Sequence, residues 1–143
     1  DPLDERNFLY EEIVRIAKEL DPWYFAMENV PGLVTMEDGE ALNQIHADFE
    51  DIGYPLSTLI LQAADYGVAQ IRPRAVLIGN RFGLNNPYPK PLLEEEEYIP
   101  IGEAIDDLAD EPRDSSINHE WTNHREDTIE RISKVPPGES LYD

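Results

Sequence analysis

The stretch Trp23-Tyr24-Phe25-Ala26-Met27-Glu28-Asn29-Val30-Pro31-Gly32 constrains this chain most. Uncharged, mostly apolar residues run straight into an acid and an amide, and Pro31 and Gly32 then stop the run. A short apolar run between a helix and a turn reads as a buried strand of an α/β sheet. Its last residues then lie at the strand's carboxyl end, where open α/β sheets hold their ligands. A carboxylate there is costly unless it has chemistry to do or a partner. On the local pattern alone the plainer account of Glu28 comes first: it caps a neighbouring helix or pairs with an arginine.

The flanking segments fit the same architecture. Asp4-Glu5-Arg6-Asn7 places acids at the positive end of a first helix, and Leu9, Ile13, Ile16, Ala17 and Leu20 fall on one face of it. Asp21-Pro22 ends that helix. Leu42, Ile45, Phe49 and Ile52 predict a second amphipathic helix from about Glu37 to Asp51, with Asp38-Gly39 as a turn or frayed start. His46 sits at the edge of its apolar stripe and reads as a partly solvated surface histidine. Leu56 to Ala64 and Ala75 to Gly79 read as two more strands. Only about ten residues join them, too few for a crossover helix, so they should be antiparallel neighbours.

From Gly83 to Pro100 the chain turns proline-rich and extended, and Glu94 to Glu97 reads as a solvated linker. Ile101 to Leu108 predicts a short helix. Asn123-His124-Arg125-Glu126 resembles a capping box ahead of a helix carrying Ile129 and Ile132, closed by Pro136-Pro137-Gly138. His119 and His124 lie in a loop-like segment whose spacing gives little support to a metal site, so none is expected.

Composition narrows the chemistry. The chain has 143 residues and no cysteine, which excludes disulfides, thiolate metal sites and cysteine nucleophiles within it. No apolar run is long enough to span a bilayer and no signal peptide is visible, which fits a cytoplasmic protein. The start at Asp1 reads as that of an excised segment. Asp and Glu total 31 against 11 Lys and Arg, a formal net charge of -20. That balance repels nucleic acid in dilute salt. It also fits a halophile's surface, since in molar salt the Debye length is only about 3 Å. On the second reading, stability rises from dilute buffer to multimolar KCl, and greatest stability in dilute buffer would contradict it.

A second constellation lies just before the third strand: Asp65-Tyr66-Gly67-Val68-Ala69-Gln70-Ile71-Arg72-Pro73-Arg74. Arg72 and Arg74 are two apart, so in an extended segment they project to the same side. Arginine's planar fork suits phosphate or the acceptor edge of a base. Alone, this is an ordinary surface pair. Together with the first stretch it resembles the DNA cytosine-5 methyltransferase family. Asp4-Glu5-Arg6-Asn7-Phe8-Leu9 is similar to that family's Asp-x-Arg-Asn-x-Leu segment and Met27-Glu28-Asn29-Val30 to its Glu-Asn-Val motif. Tyr66 to Arg74 is similar to its Tyr-Gly-Val-Pro-Gln-x-Arg-x-Arg motif, with Ala69 in place of the proline. The order matches, and the resemblance is strongest from Asp4 to about Arg81.

The resemblance implies an α/β fold: the second half of a Rossmann-like methyltransferase sheet ending in an antiparallel strand pair. Residues 1–82 would belong to the catalytic domain, 83–100 to a linker and 101–143 to the start of a target-recognition region. In that family a cysteine thiolate attacks carbon-6 of a flipped cytosine in double-stranded DNA. Carbon-5 then takes the methyl of S-adenosylmethionine. Glu28 matches the carboxylate that faces the ring nitrogen and amine, and a carboxylate in a dry pocket can share a proton with such a ring. Arg74 matches the arginine that holds the ring carbonyl, and Arg72 the motif's other arginine. Asn29 would orient the backbone around Glu28, and Gln70 would support the arginine strand. The family's Pro-Cys nucleophile, glycine-rich cofactor loop and closing motif have no counterpart here. The chain alone is therefore expected to be inactive and to bind S-adenosylmethionine poorly. An unpaired edge on the first strand would invite self-association. Two other readings stay open: a non-catalytic DNA-binding or regulatory relative, and an acidic protein-interaction module. The last predicts no convergence of Glu28 with Arg74.

Overall fold

A computed structural model describes residues 9–108, 110–120, 122–136 and 139. The expected helix opening at Asp4-Glu5-Arg6-Asn7-Phe8 and the closing Pro137-Gly138 lie outside these residues. Helix α1 (Leu9–Leu20) leads into strand β1 (Tyr24–Asn29). Two 3-10 turns follow, then α2 (Glu40–Asp51), β2 (Leu56–Gln62), a third 3-10 turn and β3 (Pro73–Asn80). Two short helices, α3 (Ile101–Ile105) and α4 (Glu126–Ile132), come later. The chain divides into two compact units, Asp1–Ala104 and Ile105–Asp143.

The sheet has three strands in the order β1-β3-β2, and β3 is antiparallel to both neighbours. The expected β2–β3 pairing is present, with Leu56 opposite Gly79 and Gln62 opposite Pro73. Strand β1 pairs only with β3, from Tyr24 opposite Asn80 to Asn29 opposite Ala75, so among the described residues its outer edge carries no strand. Because β1 is an edge strand, the sequence expectation of a wholly buried strand needs correction. Phe25 and Met27 face the core, while Tyr24, Ala26 and Glu28 are exposed on the other face.

The core forms where helices cover one face of the sheet. Ala17, Leu33, Ile45, Phe49, Tyr54, Ala75 and Leu77 are buried together there. Phe25 packs against Phe49 and Tyr54 at ring-centroid distances of 4.9 and 5.4 Å. Gly79 makes this possible, since a Cβ built on it would stand 2.6 Å from Phe25 and 2.8 Å from Leu56.

Of the α1 face that the spacing marked, Ala17 alone is buried, and the inward face is rotated from it. Tyr10, Val14 and Ala17 meet the core, whereas Leu9, Ile13, Ile16 and Leu20 are exposed. The Tyr10 hydroxyl, 2.8 Å from Asp48 Oδ2 on α2, holds this orientation. His46 is half-buried with Nε2 2.8 Å from Thr58 Oγ1, and burial lowers its pKa. Helix α4 has Arg125 at its N-cap position and no side-chain cap there, so Asn123 does not form the expected capping box. A capping box does form at Glu94 and Glu97, which turns the supposed solvated linker into a short 3-10 turn.

Two tyrosines tie stability to alkaline pH. Burial and then the bond to Asp48 push Tyr10 up to about 12. The bond to Asp65 and then burial push Tyr98 up to about 12. The unfolded chain releases these protons near 10, and the folded chain keeps them. Their contribution is therefore complete below the ordinary value and is lost as pH rises from about 10 to about 12. Urea midpoints measured across that window should fall, and the double variant Tyr10→Phe, Tyr98→Phe should show a flatter decline. An unchanged slope in that variant would contradict the assignment.

Candidate base-holding site

The site lies on the sheet face opposite the helical core. Glu28 pairs across with Val76, and Arg74 comes two residues before Val76 on β3. Residues two apart on a strand share a face, so Glu28 and Arg74 are diagonal neighbours. Their side chains meet, with Arg74 Nε 2.6 Å from Glu28 Oε1. Glu28 is 58% exposed and Arg74 23% exposed. Arg74 Nη1 also donates to Pro73 O at 2.8 Å, which fixes the guanidinium on its own strand.

The plain expectation for Glu28, an arginine partner, and the convergence the family resemblance requires are met by the same contact. At 2.6 Å nothing stands between the two groups. A base entering here would have to open the pair. An exposed ion pair contributes only about 0–1 kcal/mol, so opening it costs little.

The neighbouring residues are placed as follows. Asn29 Oδ1 accepts from Val30 N–H at 2.8 Å, an internal brace for the turn after β1. Gln70 is exposed and donates its backbone N–H to Val68 O at 2.7 Å. The Arg72 side chain is exposed, while its backbone N–H donates to Gln62 Oε1 and its carbonyl accepts from Ala63 N–H. Gln62 was not marked by any sequence motif, yet it is the side chain that holds the arginine segment against the end of β2. Gly67 adopts φ 83, a left-handed turn that glycine enters without strain, just ahead of that segment.

The sequence also gave no signal for the segment that covers this face. Asn86 Nδ2 donates to Ile78 O at 2.8 Å, and the Tyr88 hydroxyl lies 2.8 Å from Ser57 O and 3.1 Å from Val76 O. The Tyr66 hydroxyl donates to Pro89 O at 3.0 Å. Asp65 O accepts from Leu92 and Leu93 N–H, and Asp65 Oδ1 from the Tyr98 hydroxyl. The proline-rich stretch is thus a strap fastened across β3 and onto the turn that precedes the arginines.

Among the described residues no group of three or more His, Asp or Glu side chains could hold a metal ion. No described helix is long and apolar enough to cross a membrane.

This α/β unit with its three-stranded antiparallel sheet matches part of a methyltransferase fold. The crystal structure of a DNA modification methyltransferase encoded within a prophage (E. coli) matches it with a TM-score of 0.57 and 28% identity. The match covers 71% of this chain and 30% of that one. The chain belongs to the C-5 cytosine-specific DNA methylase family, whose profile matches residues 2–140. It is 38% identical over 138 residues to the Type II methyltransferase M1.HphI of Haemophilus parahaemolyticus, covering 94% of this chain and 37% of the relative. It is 41% identical over 115 residues to M.BspRI of Lysinibacillus sphaericus, covering 76% and 27%. The chain thus spans roughly a third of the length of these relatives.

Proposed function

We propose that this chain is the base-holding part of an enzyme that transfers a methyl group from S-adenosylmethionine to carbon-5 of a flipped cytosine in double-stranded DNA. The observation that carries the reading is the Glu28–Arg74 contact on one sheet face, reached from two motifs far apart in sequence. Glu28 faces the ring nitrogen and exocyclic amine, and Arg74 holds the ring carbonyl and the charge that develops there. Arg72 supplies a second cation at the mouth, Asn29 braces the backbone beside Glu28, and Gln70 lies in the turn leading to the arginines. With no cysteine in the chain, the thiolate that attacks carbon-6 comes from another part of the enzyme.

On this reading residues 1–82 belong to the catalytic domain, 83–100 connect, and 101–143 begin the target-recognition region. A division of the chain after Ala104 supports a break in that neighbourhood. The open edge of β1 would be covered by a further strand of the same enzyme or by self-association. The test is the product. DNA incubated with the enzyme and a labelled methyl donor should carry the label as 5-methylcytosine, and label on an exocyclic amine instead would overturn the reading.

A further inference from the structure

The strap has a direction. Asn86 is bonded to Ile78 O and Tyr88 to Val76 O, so the segment runs antiparallel over β3, toward the end where Arg74 lies. Pro89 is then held by Tyr66, and Leu92 and Leu93 by Asp65, in the turn between β2 and β3. Lys90 lies between these fastenings. It is therefore delivered to the same end of the sheet as Glu28 and Arg74.

Its backbone is unusually fixed for a residue outside regular structure. Pro89 before it has a locked φ, and Pro91 after it confines Lys90 to extended conformations. The Tyr66 bond at 3.0 Å and the Leu92 and Leu93 bonds at 2.9 and 3.1 Å hold both sides. A fixed backbone lowers the ordering cost of any contact the side chain makes.

The charge pattern singles out the same residue. Acids outnumber cations 31 to 11 in this chain. In the first unit Arg15, Arg74 and Arg81 are each paired with carboxylates. Lys18, Arg72 and Lys90 are exposed and make no ion pair with described residues. Lys18 lies on α1. Arg72 and Lys90 both lie at the site end of the sheet.

We propose that Lys90 is a phosphate-contact residue that, with Arg72, seats the DNA backbone beside the base-holding pair. The inference rests on the methyltransferase reading and adds to it the place where the strand lies. An ammonium is a point charge with three donors, suited to a phosphate oxygen without regard to base identity. Glu94 to Glu97 follow soon after, so the long-range field is negative and the contact acts at short range rather than by steering.

The experiment is fluorescence anisotropy of a labelled cytosine-containing duplex titrated with the full chain across a range of salt concentrations. Lys90→Gln is compared with Lys18→Gln, which removes the same charge from α1. One lost phosphate contact lowers the slope of log affinity against log salt by about 0.9, which is roughly five- to tenfold in affinity near 0.1 M salt. That loss is expected for Lys90→Gln on every duplex sequence. Lys18→Gln should match the unaltered chain, and Lys90→Arg should keep the slope. If both glutamine variants bind like the unaltered chain, Lys90 is not a phosphate contact while the methyltransferase reading stands. If the unaltered chain binds no duplex at any salt, Lys90 does not seat DNA and the proposal falls, while the methyltransferase reading is decided separately by the methylated product.

Discussion

Replacing Glu28 by Gln in the methyltransferase that contains this chain is expected to lower methyl transfer by about 100- to 1,000-fold while leaving the fold and the DNA affinity nearly unchanged. Glu28 is 58% exposed on the face away from the core, so its loss opens no cavity. Its contact with Arg74 is an exposed ion pair, whose removal costs about 0–1 kcal/mol of stability. Gln keeps the length and one acceptor oxygen but no negative charge. If the carboxylate balances positive charge on the cytosine ring as the thiolate adds, the amide offers a dipole where a charge is needed. Such a loss falls on the transition state and lowers kcat more than it raises KM. Single-turnover methylation with matched DNA-binding curves separates the two. A variant within about threefold of the parent rate would remove Glu28 from the chemistry and leave it as Arg74's surface partner.

The Glu28–Arg74 contact was legible because each residue sits in a motif with a distinctive neighbourhood. The β2–β3 pairing was legible because a short connection admits few topologies. The insertion of β3 between β1 and β2 was not legible, since strand order depends on partners distant in sequence and leaves no periodic trace. The inward face of α1 was misread for a related reason. Both Leu9-Ile13-Ile16-Ala17-Leu20 and Tyr10-Val14-Ala17 have helical spacing and share Ala17. The choice between them is made by Tyr10 reaching Asp48, 38 residues away.

The strap is the clearest case of information that the pattern cannot carry. Its fastenings are single side chains reaching backbone carbonyls, from Asn86, Tyr88 and Tyr66. Bonds of that kind have neither a period of two nor one of 3.6, so proline and acid content alone read as a linker. The capping box at Glu94 and Glu97 escaped for a simpler reason, because its cap is a glutamate rather than the serine or threonine a search looks for. Function followed the same divide. The proposed base-holding pair stands in motifs, and Gln62 and Tyr88, which fasten the segments around it, stand outside them.

Asn80 is where the strap is anchored, and Asn80→Ala is expected to cost about 3 kcal/mol or more of folding stability. The side chain is fully buried and uses all of its polar capacity. Nδ2 donates to Leu84 O at 2.7 Å and to Asn86 Oδ1 at 2.8 Å, while Oδ1 accepts from Phe82 and Leu84 N–H, both at 3.0 Å. Alanine leaves those four groups without their partner. Each unsatisfied buried group costs about 1–3 kcal/mol, reduced where water reaches it. Phe82 and Leu84 are partly open to solvent, so the sum is well below four full penalties. The remainder is still a large share of the roughly 5–15 kcal/mol that holds a domain together. Asn80→Asp keeps both accepting positions but sets a carboxylate against Leu84 O and Asn86 Oδ1, and at neutral pH it should lose at least as much. Urea unfolding gives the magnitude, and hydrogen exchange locates it. Protection should fall first at the amides of Leu92 and Leu93, while the Phe25–Phe49 core stays closed. A loss under about 1 kcal/mol, or uniform loss across sheet and strap, would show that Asn80 does not anchor the segment carrying Tyr88 and Lys90.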